Sequence, residues 1–331
     1  MLWQCIMHRY SISNNILVVI IYVCTSMTMT TTYNTSPFHH SCLEGLIAIV
    51  TGGGSGICYE ITRQLILHGC SGVVICGRRK HFLEKACVSL NRLAANNSSK
   101  ALYHVCDVRN AESCRSVVEY TVQEFGRLNI LVNGAAGNFL SEASHLKPKG
   151  FKTVMEIDTQ GTFNMCHAAF PYLKMQDNSK IINISATLQY GATWYQVHAS
   201  AAKAAVDSMT RTLALEWGTY GIRVNGIAPG PIADTPGTTK LAPGFDKDDV
   251  SDMVQEGIPI GRMGEAWDIG MAAIYLCSVA GSFVTGDILV VDGGQWLYKP
   301  PMVPREMVSE LSKKVEKKSR EQQPLSFKSK L

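Results

Sequence analysis

The sequence predicts an α/β protein: a doubly wound, seven-stranded parallel sheet with helices on both faces, in a single domain. Three observations carry that expectation. Seven short apolar runs follow one another from Leu46 onward. Segments with helical spacing of apolar residues lie between them, and a glycine-rich turn joins the first run to the first such segment. Strands that alternate with helices run parallel, because each crossover helix packs back onto the sheet and covers one of its faces.

The first run, "LIAIVT", reads as a buried strand. In "ICYEITRQLILHG", Ile57, Ile61, Leu65 and Ile66 form one apolar stripe, and Gly69 is a natural stop. The remaining strands are "GVVICG", "ALYHVCDV", "LNILVN", "KIINIS", "IRVNGIAP" and "DILVVDGG". Helical spacing predicts further helices near 81–96, 111–125, 148–175, 195–217 and 266–277. No internal repeat and no linker divides residues 43–297, which read as the domain. After Trp296 come two proline interruptions and a charged, weakly helical stretch, so residues 298–331 read as an appended tail.

The chain has 331 residues, 46% hydrophobic and 18% charged, enough for a full core. Its net charge of +4 sits in the tail: from Arg305 onward there are eight Lys/Arg against four Asp/Glu. A basic tail beside a near-neutral body argues against nucleic acid as a partner. The eleven cysteines are scattered, with no C-x-x-C pair and no His/Cys cluster at zinc spacing. They read as reduced thiols of an intracellular protein, with no metal site.

The two ends carry conflicting addresses. Ser329-Lys330-Leu331 is the tripeptide read by the peroxisomal import receptor. Near the start, Ile16 to Cys24 is an apolar run too short for stable membrane insertion but long enough for a signal-peptide core. A secreted protein has no use for a peroxisomal address. Translation starting at Met27 or Met29 resolves the conflict, and residues 1–42 are set aside as an N-terminal extension.

The turn "IVTGGGSGICYE" stands between the first strand and the first helix. Gly52, Gly53, Gly54, Ser55, Gly56 and Ile57 there suit a dinucleotide: glycines let the backbone approach a pyrophosphate, and a helix N-terminus offers free N–H groups. Cys58 occupies the last glycine position of T-G-x-x-x-G-x-G, which predicts a slightly displaced helix rather than a lost site. The second strand ends in "CGRRK". An acidic residue there would grip the ribose 2′-hydroxyl of NAD, whereas Arg78 and Arg79 suit the 2′-phosphate of NADPH. Two plain surface arginines at a strand end are the competing account. Asp107, in "CDVR", falls near the adenine edge.

"TGGGSGI", "NGAAG", "RVNGIAPGPI" and "VDGG", in that order, resemble the short-chain dehydrogenase/reductase family over about residues 43–297, a Rossmann-type fold. Within it, "AAGNF", Asp158 and "QVHASAAKAAVDSMTRTLALEWG" look like the 2,4-dienoyl-CoA reductases. Leu188, fifteen residues before Lys203, and the terminal Ser-Lys-Leu resemble the peroxisomal branch. The family usually works with Asn, Ser, Tyr and Lys, and here only the lysine is in register. Asp158 stands for the asparagine, Ala186 for the serine with Ser185 beside it, and Ala199 for the tyrosine.

The missing tyrosine is compatible with conjugate reduction. A ketone reductase must protonate the carbonyl oxygen beside the carbon that takes the hydride. In a 2,4-dienoyl thioester the hydride adds at C5, charge spreads to the thioester oxygen, and the proton goes to C2. The resemblance implies that Lys203 holds the nicotinamide ribose and that Asp158 with Lys203 holds a water that protonates C2. A structural ion pair in a retired site is the alternative. His198 reads as a helix-surface or packing residue.

The resemblance also implies that Pro229, Gly230, Pro231 and Ile232 pass the nicotinamide carboxamide and that Thr235 meets the pyrophosphate. Residues 233–249 would form a substrate lid. Phe139, Leu188, Tyr190 and Trp194 would line an acyl channel, although aromatic residues near a sheet end are as often plain core. Arg78 and Arg109 would meet phosphates of coenzyme A. The expectation is therefore an NADPH-dependent reductase of acyl-CoA substrates in the peroxisome, assembled as a homotetramer through the helices near 148–175 and 195–217. A trans-2-enoyl-CoA reductase and a non-catalytic nucleotide- or acyl-CoA-binding protein are the rivals.

Overall fold

The computed structural model describes residues 36–94, 99–237 and 257–321. Its strands are β1 (Ile47–Thr51), β2 (Gly72–Gly77), β3 (Lys100–Val105), β4 (Ile130–Asn133), β5 (Ser179–Ile184), β6 (Ile222–Pro229) and β7 (Ile288–Val291). They form one parallel sheet in the order β3-β2-β1-β4-β5-β6-β7.

Side chains alternate across the sheet with period two, and each face has its own core. Ala48, Val50, Val73, Ile75, Ile130 and Val132 face α1 (Gly56–Leu67), α2 (Lys80–Ala94) and α8 (Ala266–Cys277). Ile49, Val74, Leu131, Ile181 and Val224 face α3 (Ala111–Phe125), α5 (Gly161–Leu173) and the end of α7 (Val197–Trp217). Gly69, at φ 89°, stops α1 where expected. Asn110 starts α3 by accepting the Glu112 and Ser113 N–H groups at 2.8 and 3.1 Å.

The strand order reverses beside β1, which lies between β2 and β4. At such a point the loops leaving neighbouring strands part in opposite directions, and a crevice opens at the carboxyl ends.

The long helices differ from the prediction. The segment expected at 148–175 divides into α4 (Pro148–Val154), a π-helical stretch (Met155–Gln160) and α5. Helix α7 begins at Val197, after a short α6 (Leu188–Gly191) and a turn with Ala192 and Tyr195 at φ 66° and 62°. In the tail, α9 (Arg305–Glu321) is a continuous, exposed helix carrying Glu310–Lys314 and Glu316–Arg320 pairs one turn apart. The apolar run at 16–24, the candidate starts Met27 and Met29, lid residues 238–249 and Ser329-Lys330-Leu331 lie outside the described residues. Among the described residues, no helix is long and apolar enough to cross a membrane.

Candidate active site

The site grows from two backbone turns tied to one side chain. The Thr51 hydroxyl oxygen accepts the N–H groups of Gly134 and Ala135 at 2.9 and 3.0 Å, binding "TGGG" to "NGAAG". Gly52 has φ 72°, and a Cβ on it would lie 3.0 Å from the Gly134 carbonyl oxygen. Only glycine fits there. Ser55 precedes α1 in an extended conformation without a side-chain cap, so the first N–H groups of the helix open toward the crevice.

A cavity of about 940 Å³ occupies that crevice. Gly52, Gly54, Ser55, Gly56 and Ile57 line one end. Arg78 and Arg79, exposed at the end of β2, and Asp107 after β3 border it. Pro229, Gly230, Pro231, Ile232 and Thr235 form the wall beyond β6. Gly53 lies behind the wall, where a Cβ would come within 2.7 Å of the Ile75 side chain. An uncapped helix N-terminus beside two arginines suits the phosphates of a nicotinamide dinucleotide, so the residues present fit that group.

Cys58 fits because of a second exchange. Its Sγ lies against Gly134, and a Cβ at residue 134 would sit 2.0 Å from the sulfur. The thiol fills the space that a side chain at 134 would need. Burial pushes this thiol up to about 12, with the Lys203 charge opposing.

Asp158 belongs to the π-helical stretch, where the Gly161 N–H reaches back to the Glu156 carbonyl. Such insertions are frequent at functional sites because they turn one side chain out of helical register. One Asp158 oxygen accepts the Gly137 N–H at 2.7 Å, and the other meets Lys203 Nζ at 3.0 Å. Lys203 also donates to the Ile184 carbonyl at 2.9 Å. Their side chains are 1% and 11% exposed, so the pair is nearly dry yet borders the cavity. Ala199, one turn earlier on α7, lines the same wall, and no hydroxyl projects from it.

Tyr190 does not replace the tyrosine. Tyr190 does not line the cavity; it packs edge-on against Trp296, and burial and the Asp207 charge push its phenol up to about 12. A phenol that holds its proton more tightly is a poorer acid. The Ser185 hydroxyl donates to buried Asp207, whose other oxygen accepts Gln189 Nε2 at 2.5 Å.

Several expected substrate contacts lie elsewhere. Leu188 lines the cavity, whereas Phe139 stacks on His198 with ring centroids 4.3 Å apart. Trp194 is 82% exposed. Arg109 borders a separate surface pocket, and its guanidinium is committed to Asp107 at 2.5–3.1 Å, which holds that carboxyl below its ordinary range. His198 is fully buried instead of on the helix surface, and burial lowers its pKa. It is a packing residue under Phe139.

Four lining residues after β7 were not anticipated: Gln295, Trp296, Tyr298 and Lys299. The turn that brings them in is held by Asp292, which accepts the N–H groups of Gly294 and Trp296 at 2.8 Å each. Asn138 and Gln196 also line the cavity unanticipated. For Gln196 a signal existed: it lies three residues before Ala199 and seven before Lys203, on the same helical face.

A family model described as enoyl-(acyl carrier protein) reductase matches residues 52–295. The chain is 53% identical to the peroxisomal 2,4-dienoyl-CoA reductase, (3E)-enoyl-CoA-producing, of Arabidopsis thaliana, over 86% of this chain and 96% of that one. It is 44% identical to the protein of the same description from Danio rerio, over 77% and 83%. Among solved structures, a short chain dehydrogenase from Bacillus anthracis superposes with a TM-score of 0.68 at 36% identity, covering 77% of this chain and 98% of that one. A citronellol catabolism dehydrogenase from Pseudomonas aeruginosa does so with a TM-score of 0.67 at 30% identity, covering 79% and 99%. The seven-stranded sheet, the glycine turn closed on "NGAAG" and these matches have one explanation: the chain belongs to the short-chain dehydrogenase/reductase family, whose members are oxidoreductases built around a nicotinamide cofactor.

Proposed function

We propose that the chain reduces 2,4-dienoyl-CoA to trans-3-enoyl-CoA with NADPH, in the peroxisome. The observation that carries this is the Asp158–Lys203 pair at 3.0 Å in a wall where Ala199 offers no hydroxyl. Such a wall lacks the acid that a ketone needs at oxygen, but it can hold a water beside a carbon. The relatives named for this reaction support the substrate. Arg78 and Arg79 at the cavity border support NADPH over NADH, since their cations match a 2′-phosphate. The relatives' names and the terminal Ser-Lys-Leu support the compartment.

The glycine turn and the N-terminus of α1 hold the pyrophosphate, and Lys203 holds the nicotinamide ribose. Bound NADPH supplies a hydride to substrate carbon C5. The chain's own task is the proton. The negative charge formed on the substrate spreads to C2 and the thioester oxygen; Asp158, fixed by Gly137 and Lys203, orients a water whose proton goes to C2, and the hydroxide left behind is neutralised by a proton from solvent. Thr235 and Pro236 sit over Gly56, where the loop after β6 closes the phosphate end. Phe163 on α5 and Val197 and Leu215 on α7 are exposed apolar residues suited to packing between subunits of a homotetramer. Light scattering on the purified chain reads that assembly.

The deciding experiment is NADPH consumption with a 2,4-dienoyl-CoA by the wild type and Asp158→Asn. Asn keeps an acceptor for the Gly137 N–H and removes the charge. The expected loss is about 10³-fold in kcat, within the range for a general acid–base group, with NADPH affinity retained. A silent wild type that still binds NADPH would return the chain to the binding-protein alternative.

A further inference from the structure

We propose that the side-chain amide of Gln196 is the donor that stabilises the thioester oxygen during reduction, and that Asn138 holds it in the donating orientation; this deepens the dienoyl-CoA function proposed above. Conjugate reduction places negative charge on that oxygen, and a donor aimed at it beforehand lowers the barrier. The side chains of the reacting wall offer few. Asp158 is an acceptor, Ala186 and Ala199 have no donor, and the Ser185 hydrogen is given to Asp207. Two Lys203 hydrogens go to Asp158 and the Ile184 carbonyl. The Thr187 hydroxyl rotates between donating and accepting.

Gln196 differs because two hydrogen bonds set its orientation. The Phe139 N–H donates to Asn138 Oδ1 at 2.8 Å, which decides which end of that amide is oxygen. Asn138 Nδ2 therefore donates to Gln196 Oε1 at 2.6 Å, turning the Gln196 NH2 group to the other side. Both residues line the cavity, and no acceptor among the described residues takes the Gln196 NH2. Residue 196 is 6% exposed, so an NH2 directed anywhere but the cavity would lack water as well. Gln196, Ala199 and Lys203 succeed one another at helical spacing along the cavity wall. Asn138 follows Gly137, whose N–H holds Asp158, so the relay and the proton-delivering pair share one turn.

Gln196→Met keeps the length of the side chain and removes the donor. The expected result is a fall in kcat of about 10²-fold, the usual effect of removing one oxyanion donor, with NADPH affinity and melting temperature unchanged. A second readout needs no turnover. Dienoyl-CoA bound with NADP+ should absorb at longer wavelength in the wild type, where the carbonyl is polarised, and lose that shift in Gln196→Met while still binding. Asn138→Asp tests the relay: a carboxylate still accepts the Phe139 N–H but cannot donate, so Gln196 turns its NH2 inward and presents oxygen to the substrate. It should lower kcat and abolish the shift as Gln196→Met does. Retention of both kcat and the shift by Gln196→Met overturns the donor assignment and leaves the dienoyl-CoA function standing. A wild type that neither binds nor reduces dienoyl-CoA sinks that function, and the donor assignment with it.

Discussion

The two ends of the cavity reach their shapes by different means. At the nucleotide end the backbone does the work: Thr51 ties two turns together, and Gly52 and Gly134 are places where an added side chain would strike a neighbour. At the reacting end side chains do it, through Asp158–Lys203, Asn138–Gln196 and Ser185–Asp207–Gln189. The difference governs what each end tolerates. A backbone turn accepts an exchange only if a facing position gives way, as Gly134 does for Cys58. A side-chain site can be rebuilt from other residues, provided charges stay paired and donors stay aimed.

The coenzyme border should show the largest effect at the nucleotide end. Removing both arginines, Arg78→Ala with Arg79→Ala, is expected to lower kcat/KM for NADPH by about 10²-fold and leave NADH nearly unchanged, since charge-assisted bonds contribute roughly 1.5–3 kcal/mol each when buried and less at this exposed border. Equal losses with both coenzymes would mean that the arginines hold something other than the 2′-phosphate.

A smaller effect tests the compensated pair. Gly134→Ala alone drives a methyl into the Cys58 sulfur and should destabilise the chain by about 1–3 kcal/mol, as overpacking does. Adding Cys58→Gly removes the obstruction, so the double variant should recover at least about 1 kcal/mol of that loss in denaturant titrations. Strict additivity would mean that the two positions do not share space.

Legibility followed the same division. The sheet and the glycine turn could be read from sequence because strand periodicity and missing side chains are local properties. Strands β2 and β6 and helices α3 and α8 lie where their runs predicted. The π-helical stretch could not be read, because "MEIDTQ" has ordinary helical spacing and the extra residue shows only in which carbonyl Gly161 reaches. Asn138 and Gln196 are far apart in sequence, and their pairing needs the loop after β4 brought against the start of α7. Tyr298 and Lys299 were missed because a proline-rich tail reads as an appendage, whereas Asp292 turns it back across the cavity. Arg109 looked free because a short turn, not the sequence pattern, hands its guanidinium to Asp107.

The mildest prediction concerns buried thiols and separates packing from reactivity at the nucleotide end. Burial holds Cys58, Cys70 and Cys166 at about 12 and Cys277 at about 11, above the ordinary value of 9.0. Unfolding frees them to ionise at the ordinary value. Below that value both states hold the protons, and these groups add no pH dependence. Above it the unfolded chain binds fewer protons than the folded one, so stability should fall as pH rises through the interval toward the folded values. Cys58 borders the cavity, yet at mildly alkaline pH it should resist iodoacetamide in the folded chain, because alkylation needs the thiolate. Rapid alkylation of Cys58 without unfolding would break the contrast between the two ends, because the nucleotide end would then carry a reactive group of its own. Protection of Cys58, with stability declining only at alkaline pH, would fit a residue kept for the volume it shares with Gly134.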